Sequence, residues 1–176
     1  MIEASQQPDT LLLQLMQMAN QLPQTAKDEI NQILAPIATQ GALHGLSPET
    51  LETIYSVAYS MYQSSQYEKA REIFQTLTML DHFEYKYLFG LASCYQMQKS
   101  YQQAVETYAH CFLLEPNDPA VPFYSAYCHM MLKQYDAAAS GFDAAIRWAG
   151  EQAQFAEIKE RAISMLALVK RKKASA

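Results

Sequence analysis

The sequence predicts an all-α fold built from tandem helical hairpins. Half of the 176 residues are hydrophobic and only five are glycine, a composition that suits packed helices better than strands joined by glycine-rich turns. In addition, residues of one type recur every 34 positions, as Tyr67, Tyr101 and Tyr135 do. A fixed interval of this length is typical of repeats that each form one pair of antiparallel helices.

Three further columns keep the interval of 34, two of them alanine and one aromatic. They are Ala58, Ala92 and Ala126; Ala70, Ala104 and Ala138; and Phe74, Tyr108 and Phe142. Alanine at matched positions lets two helix backbones approach closely, so we expect these columns where helices touch. The pattern predicts three tetratricopeptide-type repeats, at about 48–82, 83–116 and 117–150, stacked into a curved superhelix within a domain of residues 41–150.

The repeat boundaries carry their own start and stop signals. Ser47-Pro48 and Asp118-Pro119 each place a capping side chain before a proline at the first helical position, which predicts the start of the first helix in repeats one and three. Short polar segments at 64–66, 98–100 and 133–134 predict the turn inside each pair. The tyrosine column follows these turns and should begin each second helix.

Both ends of a repeat stack need covering, so further helices are expected outside the repeats. At the C-terminal end, residues 151–176 predict a capping helix and a basic tail, Lys170 to Lys173, that we expect to be solvated. Its apolar stripe is Phe155, Ile158, Ala162, Met165, Leu166 and Val169.

At the other end, residues 1–40 predict a leader with amphipathic helices. The first ten residues are expected to be disordered. An apolar stripe further along this segment predicts a helix, which Pro36 should bend. Its members are Ile30, Ile33, Leu34 and Ile37.

Composition and spacing exclude several functions. A net charge of -5 disfavours nucleic-acid binding. No apolar run is long enough to span a membrane, and the amino terminus lacks the basic region of a secretory signal, so we expect a cytoplasmic protein without membrane insertion. Cys94, Cys111 and Cys128 are too dispersed for a metal or redox pair and resemble core residues. We therefore expect no catalytic residues, metal site or cofactor, and no enzymatic activity.

The first helix of each pair should line the inner face of the superhelix, where aromatic and methionine side chains are not needed for folding. The alanine register places eleven candidate groove residues there. They are Tyr55, Tyr59, Tyr62, Phe89, Ser93, Gln96, Met97, Phe123, Tyr127, Met130 and Met131. Some of them could instead be core residues covered by the capping helices. Otherwise the surface suits an extended, proline-containing segment, because prolines fit between aromatic rings and arrive already stiffened.

A different class of repeat protein clamps the carboxylate end of its ligand with basic and amide side chains. In this sequence Tyr59 and Tyr62 occupy places where a clamp needs amides, and only Lys86 is basic nearby. Capture of a terminal carboxylate is therefore not expected.

Several stretches between Gly41 and Ala167 resemble the class II chaperones of bacterial type III secretion, which hold hydrophobic translocator proteins before export. The stretches are 46–52 (LSPETLE) with Tyr55, 62–70 (YQSSQYEKA), Phe74-Gln75, 80–82 (LDH), and 119–123 (PAVPF) with Cys128. The resemblance implies a groove that binds a short proline-bearing segment near the amino terminus of a membrane-inserting translocator. It also implies that Tyr55, Tyr59, Tyr62 and Tyr67 line this groove.

Two features depart from the family pattern. Only Gly41 and Gly45 remain of a glycine run that usually precedes the first repeat, and the leader is longer than usual. Family members dimerise through this region, so a homodimer is possible, and Leu11, Leu12, Leu15 and Met18 could form its interface or fold back on the repeats. The alternative to a translocator chaperone is a general repeat scaffold for another protein complex.

Overall fold

The computed structural model describes residues 46–175, and within them every regular element is helical. The helices are α1 (Pro48–Gln63), α2 (Tyr67–Leu80), α3 (Tyr85–Met97), α4 (Tyr101–Leu114), α5 (Ala120–Met131), α6 (Tyr135–Ala149) and α7 (Ala156–Ala174), with a 3-10 turn at Ala153–Phe155. The predicted all-α fold is confirmed. The predictions made for residues 1–40, and for Gly41 and Gly45, lie outside the described residues.

The start of α1 follows the predicted capping chemistry. Ser47 has extended backbone angles, and its Oγ accepts a hydrogen bond from the Thr50 amide at 3.2 Å, while Pro48 occupies the first helical position. The start of α5 differs by one residue, because the helix begins at Ala120 and Pro119 precedes it. Asp118 still supplies the cap, since its Oδ1 accepts from the Ala120 amide at 2.8 Å.

The turn inside each helix pair has the same backbone geometry in all three repeats. Ser65, Lys99 and Lys133 adopt left-handed conformations with φ of 60°, 62° and 61°, and they too are 34 positions apart. After each of them, the next amide bonds back to a carbonyl five residues earlier, as Ser100 N does to Tyr95 O at 2.9 Å. This is a Schellman motif, which ends the first helix and reverses the chain. The second helices then begin at Tyr67, Tyr101 and Tyr135, as predicted.

The predicted contact columns form the interior of the stack. All six alanines of the two alanine columns have no exposed surface, and Phe74, Tyr108 and Phe142 are at most 1% exposed. Because the alanines present only a methyl group, the helices of a pair and of adjacent pairs can pack closely at these points. The sequence register therefore places the core correctly.

Helix α7 covers repeat three. Ala162 and Val169 are fully buried, and they pack in one cluster with Phe123, Phe142 and Ala145 of α5 and α6. Ile158, Met165 and Leu166 extend the same stripe, which confirms the predicted capping helix. Phe155 lies in the 3-10 turn that precedes it and is half-buried.

The three cysteines are buried free thiols, as the sequence predicts. Burial raises the pKa of each of them to about 12, so they remain protonated and unreactive near neutral pH. Among the described helices, none is long and apolar enough to cross a bilayer.

Candidate functional site

An aromatic cavity of about 390 Å³ opens between α1 and α3. Three tyrosines of α1 form one wall, and residues along α3 form the opposite wall. The α1 residues are Tyr55, Tyr59 and Tyr62, and the α3 residues are Tyr85, Lys86, Phe89, Gly90, Ser93 and Gln96. Phe74, Tyr108 and Tyr124 close the remaining sides, so rings from five helices surround one space.

A second cavity of about 510 Å³ adjoins the first, between α5 and α7. Phe123, Tyr124 and Tyr127 line it on the α5 side. The α7 side is more polar, with Glu160, Arg161, Ser164 and Met165. Gln96 and Tyr124 line both cavities, so the two spaces are adjacent at these residues, and together they are called the groove.

The α1 wall is a set of interlocked rings. Tyr55 stacks on Tyr59 with centroids 6.1 Å apart, and it meets Phe74 edge-on at 5.9 Å and Tyr87 at 5.9 Å. Such contacts hold Tyr55 in place and leave Tyr59 47% exposed at the mouth of the cavity. Tyr59 thus offers a rigid ring face to a ligand at little entropic cost.

The α3 wall is built around Phe89. Its ring lies 5.5 Å from Tyr85, 5.6 Å from Tyr108 and 5.9 Å from Tyr124, measured between centroids. These partners come from α3, α4 and α5, so Phe89 joins repeat two to repeat three at the floor of the groove.

Tyr85 is fixed by a hydrogen bond between repeats. Its hydroxyl donates to Asp118 Oδ2 at 2.5 Å, while Oδ1 of the same carboxylate caps α5. Burial, and then this hydrogen bond, raise the pKa of Tyr85 well above its ordinary value, so it stays a donor throughout the physiological range. One carboxylate therefore sets both the start of α5 and the position of a groove tyrosine.

Lys86 lies at the edge of the groove, and its positive charge is paired with the carboxylate of Glu52. Its Nζ lies 2.5 Å from Glu52 Oε2 and 5.1 Å from the centroid of the Tyr55 ring. The pair is partly exposed, with side-chain exposures of 35% for Lys86 and 54% for Glu52, so it contributes little to stability.

The chain is similar to known translocator chaperones. The chain is 34% identical over 135 residues to the low calcium response locus protein H of Yersinia pestis, a match that covers 77% of this chain and 80% of that protein. It is also similar to the type III secretion translocator chaperone SycD of Yersinia enterocolitica, with a TM-score of 0.70, 33% identity, and 74% of this chain and 97% of that chain covered. This chain belongs to the class II translocator chaperones of bacterial type III secretion.

A complex of a relative shows a partner segment bound to a protein of this fold. The structure of PcrH with the chaperone binding region of PopD has a TM-score of 0.71 and 39% identity, and the match covers 73% of this chain and 97% of that chain. A model for the family described as anaphase-promoting complex, cyclosome, subunit 3, matches residues 37–111, less than half of the chaperone. The class II translocator chaperones are chaperones and not enzymes, and membership of this class favours a translocator chaperone over a general scaffold.

Most of the twelve candidate groove residues of this chaperone come together in the structure. Tyr55, Tyr59, Tyr62, Phe89, Ser93 and Gln96 line the first cavity, and Phe123, Tyr127 and again Gln96 line the second. Phe123 is only 2% exposed, so it forms part of the wall instead of a free contact surface. Tyr67 lies outside both cavities and packs edge-on against Tyr62 at 5.4 Å.

The three methionines are placed differently from the expectation. Met130 is 8% exposed and belongs to the core cluster beneath α7, so it is not available to a ligand. Met97 and Met131 are 42% and 43% exposed but line neither cavity. Each is the last residue of its helix and lies beside the turn.

Sequence reasoning missed Tyr124, which lines both cavities, and two further groups of groove residues. Tyr85 and Gly90 lie on α3, outside the register that was read from the alanines, although a glycine inside an apolar helix is a signal of close packing. An added Cβ at Gly90 would lie 2.5 Å from a ring carbon of Phe74, so the glycine lets that ring approach α3. The second group lies on α7 and lines the second cavity: Glu160, Arg161 and Ser164. The apolar stripe that predicts this helix as a cap gives no signal for its polar residues.

Proposed function

We propose that this chaperone binds a short, extended, proline-containing segment of a hydrophobic translocator in the groove formed by the two cavities. Occupancy would keep the membrane-inserting partner soluble and competent for export, in the bacterial cytoplasm, by covering a segment that otherwise aggregates. The observation that carries the proposal is the half-exposed ring of Tyr59 beside a cavity walled by fixed aromatic side chains. An aromatic ring that stays half-exposed in the free protein is suited to contact with a guest chain.

The relatives support this choice of partner. PcrH has been solved with the chaperone binding regions of PopD and of PopB, and SycD with a peptide of the translocator YopD. SycD has also been solved as an alternative dimer, and we propose that this chaperone can form a homodimer as well. The predicted dimerisation region, residues 1–40, lies outside the described residues.

A single substitution in the groove tests the proposal. Tyr59→Ala should weaken binding of the chaperone binding region of PopD, used as a synthetic probe, by about 30-fold, because truncation of an aromatic anchor costs about 2 kcal/mol of binding free energy. Isothermal titration calorimetry measures the dissociation constant. The melting temperature should stay near that of the wild type, since Tyr59 is half-exposed in the free protein.

Phe83→Ala is the matched control. Phe83 is an aromatic residue with 37% exposure that lines neither cavity, so its loss should leave binding unchanged. Equal affinities of Tyr59→Ala and the wild type for the probe would rule out this groove as the binding site. A collapse of helicity in Tyr59→Ala would instead identify Tyr59 as a folding residue.

A further inference from the structure

The side-chain amide of Gln96 has a fixed orientation at the place where the two cavities meet. Its Oε1 accepts a hydrogen bond from the Tyr108 hydroxyl at 3.0 Å, and Cys128 Sγ lies 3.8 Å from the same oxygen. Tyr108 is 1% exposed, and its hydroxyl also lies 3.3 Å from Ser93 Oγ. Two donors from the core therefore converge on one oxygen of Gln96.

The amide nitrogen of Gln96 is left available by this arrangement. With Oε1 held by Tyr108 and Cys128, the NH₂ group occupies the other position, and among the described residues it has no hydrogen-bond partner. The Gln96 side chain lines both cavities, so its two N–H donors are offered at the junction of the groove. A flip of the amide would give up both of these hydrogen bonds to Oε1, because it would place NH₂ against the Cys128 thiol and require the Tyr108 hydroxyl to accept instead of donate.

An extended guest segment needs such a donor. Each of its residues carries a main-chain carbonyl, while each proline lacks an N–H group, so the segment has more acceptors than donors. A carbonyl that loses water on entering an aromatic groove must find a new donor or cost free energy.

We infer that Gln96 Nε2 donates a hydrogen bond to a main-chain carbonyl of the bound translocator segment, at the point where the segment passes from the first cavity into the second. The inference rests on the proposed function, and it makes Gln96 a binding residue that fixes the register of the guest. Side chains on either side of that carbonyl then enter the aromatic cavity and the cavity beside α7.

Two substitutions separate the donor from the packing of Gln96. Gln96→Met keeps a side chain of similar length without a donor, and Gln96→Glu keeps an acceptor for Tyr108 while it replaces NH₂ by a second oxygen. Both should weaken binding of the PopD chaperone binding region by about 10- to 100-fold. Gln103→Met is the control, because Gln103 is exposed on α4 and lines neither cavity, and its affinity should match the wild type.

Ester substitution in the probe locates the carbonyl itself. Replacing one main-chain amide of the peptide by an ester weakens the carbonyl as an acceptor. At one position the ester should reduce affinity for the wild type by several-fold and leave affinity for Gln96→Met unchanged. If every ester has the same effect on both proteins, the inference is wrong.

A spectroscopic measurement on the wild type does not depend on how the variants fold. The Nε2 proton resonances of Gln96 should move downfield when the probe binds, as a new acceptor engages them. Unchanged resonances at saturation would overturn the inference. If the wild type does not bind the probe at all, the proposed function fails first, whereas binding that depends on Tyr59 but not on Gln96 refutes the inference alone.

Discussion

Gly90 controls how closely the Phe74 ring of α2 lies against α3 beside the groove. The nearest ring carbon of Phe74 would be 2.5 Å from a Cβ at this position, which is closer than any stable contact. Phe74 is 1% exposed and packs edge-on against Tyr55, so a shift of its ring would disturb the wall of the cavity. A helix interior normally disfavours glycine by about 1 kcal/mol, so close packing is the reason that this one is useful.

Gly90→Ala should therefore lower the free energy of unfolding by about 1 to 3 kcal/mol, even though alanine is the better helix former, because overpacking outweighs propensity. Urea denaturation measures the change. Phe74→Leu in the same chain should recover part of the loss by making space for the methyl group. A Gly90→Ala protein as stable as the wild type would show that the ring and the helix are not in tight contact.

At the scale of elements, the three reversals between paired helices use a costly backbone conformation. Ser65, Lys99 and Lys133 all have φ near 60°, where a side chain is disfavoured by about 1 kcal/mol or more relative to glycine. The Schellman hydrogen bonds hold each turn in this conformation. Tertiary packing of the repeats thus overrides a local preference at three equivalent positions.

Lys99→Gly should raise the free energy of unfolding by about 0.5 to 1 kcal/mol, since glycine adopts the left-handed conformation without strain. Thermal and urea denaturation measure the gain. His110→Gly provides the contrast, because His110 is an exposed residue inside α4, where glycine should destabilise by about 1 kcal/mol. Destabilisation of both variants would mean that Lys99 contributes a contact that outweighs its backbone strain.

At the scale of the whole molecule, burial of the thiols links stability to pH. The pKa of Cys94, Cys111 and Cys128 is raised by burial from about 9 to about 12. The folded protein therefore keeps protons that the unfolded chain releases above about pH 9. This contribution to stability is complete below pH 9 and is lost as the pH rises toward 12. Burial likewise raises the pKa of Tyr62 to about 12, which adds to the loss above pH 10.

The free energy of unfolding under reducing conditions should accordingly be constant between pH 7 and 8 and fall steeply between pH 9 and 11. Each thiol contributes a slope of up to about 1.4 kcal/mol per pH unit. Urea titrations at several pH values give the slope. Cys94→Ala should reduce it by the share of one thiol, and a free energy of unfolding that does not change up to pH 11 would contradict the burial of these groups.

The sequence by itself determined the repeat architecture. The interval of 34 located the alanine contacts, the turns at 64–66, 98–100 and 133–134, and the tyrosines that begin the second helices. The apolar stripe from Phe155 to Val169 identified the capping helix. These features could be predicted because they depend on local periodicity and on repetition, both of which are written directly in the order of residues.

Only the tertiary structure decided how the groove is completed. The repeat interval shows that Met97 and Met131 are equivalent, but it does not show that both lie outside the cavities. Nor does it show that Met130 is buried beneath α7. The orientation of Gln96 depends on side chains of α3, α4 and α5 that meet in space. Such positions depend on the rotation of each helix about its axis, which is fixed by close packing against all of its neighbours at once. No single segment of sequence contains this information.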